Sequence, residues 1–377
     1  MPTLLIANPS SDVYGSDLQM VQSVIAMRRQ GWRVIVAVPE GGDLITELEE
    51  CGAEVRFLRF PVLRRSCFSA RGILDLGAGV ACAVPRIIGE VRAIQPDVVY
   101  VNTETIPWWL PAARALGVPT ICHVHEAEAE DSRVVRTGLN LPLLAATAII
   151  SISEPATEAI TLPGPRSRAH LIYNGVPQPQ TSVARPPEER AFRLAVIGRL
   201  SPRKAPHVAL EAIALARRRG RNVALDVCGT PFTGYEWYEQ QLRERAEEDD
   251  LKGFVRFLGY VSPIWSTLAA VNAVLAPSLR EPFGNAVVEA QLARRPVIAA
   301  AAMGHLETVH HEETGLLVAP NDAEAMAGAI ERIMDDDGLR DRIAAQAEQR
   351  AIECFSLNRY HSQVADLVTS VAERRMS

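Results

Sequence analysis

The sequence lacks most of what would staple or anchor a chain. Its six cysteines (Cys51, Cys67, Cys82, Cys122, Cys228 and Cys354) are scattered over 377 residues, with no Cys-x-x-Cys pair and no zinc spacing. That is no disulfide framework; the thiols read as small buried hydrophobes in a reducing compartment. Positive charge is not in excess: 39 Lys and Arg against 45 Asp and Glu give a net charge of −6. The basic face of a duplex-binding protein is not evident, and no nucleic-acid partner is expected. No uncharged apolar run reaches the ~20 residues of a spanning helix. The nearest, Gly72 to Val84, is interrupted by Asp75 and is too short. The N-terminal Met1-Pro-Thr-Leu-Leu-Ile lacks the regions of a signal peptide, so a cytoplasmic location is expected. Neither GxxxxGK[ST] nor a strand-borne GxGxxG occurs, which argues against a P-loop and a dehydrogenase.

What is there is an ordinary globular balance, 48% apolar and 22% charged, with length enough for two domains. Short runs rich in Val and Ile, apolar on both faces, alternate with helical stretches closed by glycines such as Gly31 and Gly52. Strands are expected at 4–7, 34–38, 55–60, 98–101, 120–124, 148–152 and 171–173. After a Pro-, Gln- and charge-rich stretch they resume at 194–197, 224–227, 255–258, 273–276, 297–300 and 316–318. Three helices end the chain, at 323–334, 339–354 and 357–374. This pattern predicts an α/β chain of two doubly wound, Rossmann-like parallel-sheet domains, 1–176 and 191–356, joined by a linker at 177–190. Ligands of such sheets sit beyond the carboxyl ends of the strands, so two sheets facing each other would form a cleft lined by residues just after strands.

Several strand ends carry chemistry. After the first strand, Tyr14-Gly15-Ser16-Asp17 opens a helix whose amides suit a phosphate, although the turn and the cap alone would account for Gly15 and Asp17. The fifth strand runs into Cys122-His123-Val124-His125-Glu126, with both histidines on one face. No third ligand at a recognisable spacing makes them a metal site. Gly198-Arg199 and Lys204 place two cations around a turn, able to clamp a diphosphate. Glu281-Pro-Phe283-Gly284-Asn285 and Glu289 place two acids eight residues apart across a helix start, suited to sugar and ribose hydroxyls and an anion. The only Asp-x-Asp, Asp335 to Asp337, reads as a solvated helix end. His305, His310, His311, Glu312 and Glu313 read as a loop, not a metal cluster. Trp108 and Trp109 could stack on an acceptor or pack, and Tyr235, Trp237 and Tyr238 read as packing at a helix start.

Taken together, Glu281-Pro-Phe-Gly-x₄-Glu289, Gly198-Arg199-Leu-x₃-Lys204, Asn174-Gly175-Val176 and Thr314-Gly-Leu-Leu-Val318 resemble the motifs of retaining family-4 glycosyltransferases with the GT-B fold, over nearly the whole chain. The resemblance implies a nucleotide-sugar donor, UDP- or GDP-linked, used without cofactor or metal. Arg199 and Lys204 would hold its diphosphate and Glu281 its sugar, with the Glu289 carboxylate on the ribose. Gly198, Phe283, Gly284 and Asn285 would touch the donor, as would Gly15 and Ser16, with the base near Tyr260 and Val261. His125 would be the catalytic histidine of the first domain. Tyr14, Asp17, His123 and Trp108 are assigned to the acceptor, which would be a sugar, a glycolipid or a small molecule. Tyr14 stands where the family has a glycine. The last helix would pack back on the first domain. A nucleotide-sugar epimerase and a non-catalytic sugar-nucleotide-binding protein are the alternatives. Residues 62–68 with Arg71, basic and apolar, suggest a peripheral membrane contact, against a solvated loop.

Overall fold

In a computed structural model the chain forms two compact units, Met1–Gly175 with Leu357–Ser377, and Val176–Ser356. The structure describes all residues except 14, 64–66, 68, 127–132, 182, 184–190 and 377. Tyr14, Arg64, Arg65 and most of the expected linker thus lie outside the described residues.

The first unit holds a parallel sheet of β1 (Thr3–Ala7), β2 (Arg33–Val38), β3 (Glu54–Phe57), β4 (Val98–Val101), β5 (Thr120–Val124), β6 (Ala148–Ser151) and β7 (Ala169–Leu171). Its order is β3-β2-β1-β4-β5-β6-β7. The second holds β8 (Phe192–Ile197), β9 (Val223–Cys228), β10 (Val255–Gly259), β11 (Ala273–Ala276), β12 (Val297–Ala300) and β13 (Leu316–Val318), in the order β10-β9-β8-β11-β12-β13. All pairings are parallel, as in Leu4↔Val34 and Val274↔Val297. The expected doubly wound α/β class is borne out, because strands buried under helices on both faces leave an unbroken apolar signature. β1, β4 and β12 are buried along their whole length.

Two elements depart from expectation. β7 lies two residues earlier than 171–173; it is a short edge strand, only partly buried, so its apolar signal is weak. The run at Gly72–Val84 belongs to a helix of 25 residues, Ala70–Ile94, that continues through Pro85. Among the described residues it is one helix that is long and apolar enough, from Arg71 to Ile94, to cross a membrane by length and composition. Its C-terminal half packs Ala83, Ile87 and Val91 into the first unit's core, while Ile73 and Leu74 are exposed.

The C-terminal helix Leu357–Met376 belongs to the first unit. Tyr360, Val364, Val368 and Val371 join Met20, Val24 and Met27 of helix Gly15–Arg29 in one cluster. Gly175 permits this approach: a Cβ there would lie 2.7 Å from Tyr360 Cβ.

Candidate functional site

In each sheet the strand order reverses once, between β1 and β4 in the first and between β8 and β11 in the second. Crossovers leave in opposite directions there and open a crevice at the strands' carboxyl ends. Gly15 and Ser16 follow β1 at the first point, and Gly198, Arg199, Lys204 and Glu281 follow β8 and β11 at the second.

In the second unit the turn after β8 brings Gly198, Arg199 and Lys204 beside Ser278, Glu281 and Gly284, which follow β11. Gly198 has φ 141°, and Gly229 after β9 leaves no room for a Cβ beside the Gly198 carbonyl. The Arg199 guanidinium lies 3.4 Å over the ring of Phe232. Lys204 Nζ forms a close ion pair with Glu281, which also accepts from Ser278 Oγ at 3.3 Å. Burial alone would raise the Glu281 carboxyl; the ammonium of Lys204, with Arg203, outweighs it and holds the group below its ordinary value. Gly284, at φ 106°, starts helix Asn285–Leu292, and Gly284, Ala286 and Val287 line the pocket. The first turn of a helix lacks intrahelical acceptors for its amides, so this end of the pocket suits an anion. The enclosed space is about 20 Å³, room for about one water. Glu289 lies further along the same helix, where burial pushes its carboxyl up to about 7.

His305 lines this pocket too, which sequence reasoning missed. The short helix His305–Thr308 turns its ring inward, 1% exposed, with Nδ1 3.1 Å from the Ala300 carbonyl. Nδ1 therefore carries the proton and donates, and Nε2 is the bare acceptor. Burial keeps the ring neutral. A Cβ on Gly284 would lie 3.5 Å from that Nε2 and equally close to Glu281 Cγ. Gly304, pressed against Pro282 and Phe283, donates to the Glu281 carbonyl at 2.9 Å and locks the two loops together. A histidine beside a glycine with no room for a side chain was the available signal. His310 and His311 stay outside, against Glu313 and Glu312. Val261 packs partly buried behind β8, while Tyr260 is exposed.

In the first unit His125 follows β5, its ring 4.0 Å from that of His123. His125 Nε2 lies 3.0 Å from Asn102 Oδ1 after β4, and Asn102 in turn bonds Asn8 after β1. The Glu126 carboxylate accepts from the His125 amide at 3.2 Å and from Thr103 Oγ1 at 3.0 Å. Burial lowers His125 to about 3, and burial with His125 nearby lowers His123 well below its usual range. Gly15 and Ser16 open helix Gly15–Arg29, and the Ser16 carbonyl accepts from Asn102.

Three of the acceptor assignments need correction. His123 is fully buried, with Nδ1 2.6 Å from Tyr100 OH, so it cannot touch an acceptor directly. Asp17 is 1% exposed, its carboxylate turned inward to Asn8 and Ser10. Trp108 is partly buried, packs against the core of the first unit and donates Nε1 to the Pro61 carbonyl at 2.6 Å. In the second unit Tyr238 is buried, but Trp237, expected to pack, is half exposed. Among the described residues no group of three His, Cys, Asp or Glu side chains could hold a metal ion.

Comparison with known proteins places this geometry. The profile of the family described as Glycosyltransferase Family 4 matches residues 18–178, and that of Glycosyl transferases group 1 matches residues 179–350. A D-inositol 3-phosphate glycosyltransferase of Nocardioides sp. is 33% identical over 277 residues, 68% of this chain and 56% of that protein. The chain thus spans little more than half the length of that relative. A glycogen synthase of Mycobacterium tuberculosis is 28% identical over 288 residues, 71% of this chain and 67% of that protein. Among solved structures, Anabaena Alr3699/HepE in complex with UDP-glucose superposes with a TM-score of 0.82 at 24% identity, over 98% of this chain and 99% of that one.

Proposed function

This chain belongs to the family-4 glycosyltransferases of the GT-B fold, and from that premise we propose that it moves a sugar from a nucleotide diphosphate to an acceptor hydroxyl, with retention at the anomeric carbon. The observation that carries this reading is the convergence of Arg199, Lys204, Glu281 and a helix N-terminus at the switch point of the second sheet.

A nucleotide sugar presents a diphosphate, which the two cations and the helix N-terminus match in charge. The C–O bond to the sugar breaks as negative charge gathers on the departing phosphate. Groups already fixed around that oxygen stabilise the charge without reorganising. In the free protein Lys204 is paired with Glu281. A diphosphate would take over Lys204 and release the Glu281 carboxylate to the sugar hydroxyls. His305 Nε2, a neutral acceptor beside Glu281, would take a further hydroxyl. Glu289 would receive the ribose diol. His125 would accept from the acceptor hydroxyl. Similarity to a D-inositol 3-phosphate glycosyltransferase, a glycogen synthase and a protein bound to UDP-glucose favours a UDP-linked or similar glucosyl-type donor and a polyol or glycan acceptor. Polysaccharide, glycolipid or natural-product synthesis would be served by such a step in the cytoplasm. Contact of residues 62–68 and Arg71 with an anionic membrane belongs to the same reading; sedimentation with anionic vesicles should weaken in an Arg64/Arg65/Arg71→Ala variant.

A thermal-shift screen of UDP and GDP sugars tests the donor, since a ligand of the native state alone raises its melting temperature. The best donor is then incubated with and without acceptors. Glycoside formed only with acceptor supports transfer. An isomerised sugar nucleotide from donor alone would replace this reading with an epimerase, and binding without turnover with any acceptor would replace it with a binding protein.

A further inference from the structure

We infer that Asp17, Asn8 and Asn102 are positioning residues: they form a buried relay that fixes the proton of His125 on Nε2 and leaves Nδ1 as its bare, hydroxyl-accepting nitrogen. The part played by that nitrogen rests on the transferase reading; the relay does not.

The relay begins at groups that accept. The Asp17 carboxylate and the Ser10 carbonyl both receive Asn8 Nδ2, at 2.8 Å each. The amide nitrogen of Asn8 must therefore point toward them, and its oxygen points the other way. That oxygen receives Asn102 Nδ2 at 2.7 Å, and the Ser16 carbonyl receives the same nitrogen at 3.2 Å. Asn102 is oriented in turn, so Oδ1 is what it presents to His125 Nε2, 3.0 Å away. An amide oxygen facing Nε2 of a neutral ring allows one solution: Nε2 carries the hydrogen. Each amide is held by two independent acceptors, so neither can turn over without stranding a buried donor. Asn8 is 0% exposed, and Asn102 and Asp17 are 1% exposed. Ser10 Oγ, at 3.2 and 3.3 Å from the two carboxylate oxygens, supports the acid at the far end.

A buried acid that touches neither the ring nor solvent thereby sets which ring nitrogen faces a ligand. The three residues come from the turn after β1, the following helix and the turn after β4, meeting at the crevice between β1 and β4. The arrangement explains why Asp17 is turned inward although it opens a helix at a strand end.

The test uses the full chain with nitrogen-15 in its histidines. In the free wild type, the His125 proton should be found on Nε2 and should exchange slowly with water. Asp17→Asn, which keeps the shape and lets the amide present either face, should shift the His125 ring signals and speed that exchange, although residue 17 does not contact the ring. Asn8→Ala breaks the middle link and should do the same, so the relay is still read if one variant fails to fold. Both should lower kcat/KM about tenfold or more, while the dissociation constant of UDP changes less than about twofold. The double variant Asp17→Asn/Asn102→Ala should be no worse than Asn102→Ala alone, because members of one network are not additive. A proton on Nδ1 in the wild type would overturn the inference. So would ring signals unmoved in folded Asp17→Asn and Asn8→Ala proteins, whatever their activity. The proton is located in the ligand-free protein, so a relay that passes while every donor fails would reject the transferase reading alone.

Discussion

The two crevices share a topology and differ in charge. At the end of the first sheet the named side chains are neutral amides, neutral imidazoles and carboxylates, with the Asn8 and Asn102 amides matched to acceptors in the interior. At the end of the second sheet two cations and a helix N-terminus surround one carboxylate in a small pocket. The first network is finished before any ligand arrives and can hold a ring in place. The second pairs its own charges and can exchange a partner for an anion. Under the transferase reading, the hydroxyl-bearing reactant goes with the first and the diphosphate with the second.

Breaking the charged crevice should have the largest effect. Glu281→Gln keeps the shape, removes the charge and frees Lys204. It should lower kcat by roughly a hundredfold, about 2.7 kcal/mol of barrier, with a smaller change in donor KM. Steady-state kinetics with circular dichroism checks this. Normal turnover at saturating donor would show that the sugar lies elsewhere.

Glu289 sharpens the contrast through pH. Its carboxyl holds a proton up to about 7 in the folded chain, because burial disfavours the charge, against 4.5 ordinarily. A raised value means the folded state binds the proton more tightly. That stabilisation is complete below about 4.5 and is lost as pH rises through about 7. Relative to Glu289→Gln, the wild type should lose about 2 kcal/mol between pH 5 and pH 8, partial exposure trimming the full value. Ribose binding favours the charged form, so donor KM should rise as pH falls below 7 in the wild type and stay flat in Glu289→Gln. His125, lowered to about 3, should add no titration between pH 5 and pH 8. Chemical denaturation at several pH values and pH-dependent kinetics read both effects.

The sequence exposes the two crevices unequally. Arg199, Lys204, Glu281 and Glu289 are charged residues in loops and helix starts after apolar runs, and charge beside a strand end is visible without coordinates. The strands are visible too, since burial on both faces leaves only apolar residues, as in Leu4-Leu5-Ile6 and Val297-Ile298-Ala299. The relay is hidden because asparagine is common in turns, and Asn8 and Asn102 gain meaning only when β1 and β4 become neighbours. His305 is hidden for a related reason: in the chain it stands with His310 and His311, and only the turn after β12 sends it to Glu281. Helix Ala70–Ile94 is hidden by its own composition, with Gly72, Gly77, Gly79, Gly89 and Pro85 all signalling a break that the packing of Ala83, Ile87 and Val91 overrides.

A smaller effect is expected where the finished network meets the last helix. Tyr360 OH lies 2.6 Å from Ser23 Oγ in the buried core of the first unit. Tyr360→Phe removes that hydroxyl and leaves Ser23 with longer contacts to the Gln19 carbonyl at 3.4 Å and Tyr100 OH at 3.5 Å. About 1 kcal/mol of stability should be lost, read as a lower denaturation midpoint with an unchanged slope. Donor binding in the second unit should not change.

The smallest effect is expected from chelation. A departing nucleoside diphosphate needs its charge neutralised, and a divalent cation held by acids is one way to do it. Here the cations belong to the chain. Arg199 and Lys204 flank the pocket, and the amides of a helix start add partial positive charge from a third side. The nearby acids are engaged otherwise: Glu281 is paired with Lys204, and Glu289 keeps its proton to about 7. A cation brought to this point would meet two like charges. Product formation should therefore change less than about twofold after exhaustive chelation, because each charged hydrogen bond already supplies roughly 1.5–3 kcal/mol. Lys204→Met should instead lose donor binding, and added magnesium should not restore it. Complete loss of activity on chelation, recovered with magnesium or manganese, would move the source of the neutralising charge from the chain to an ion.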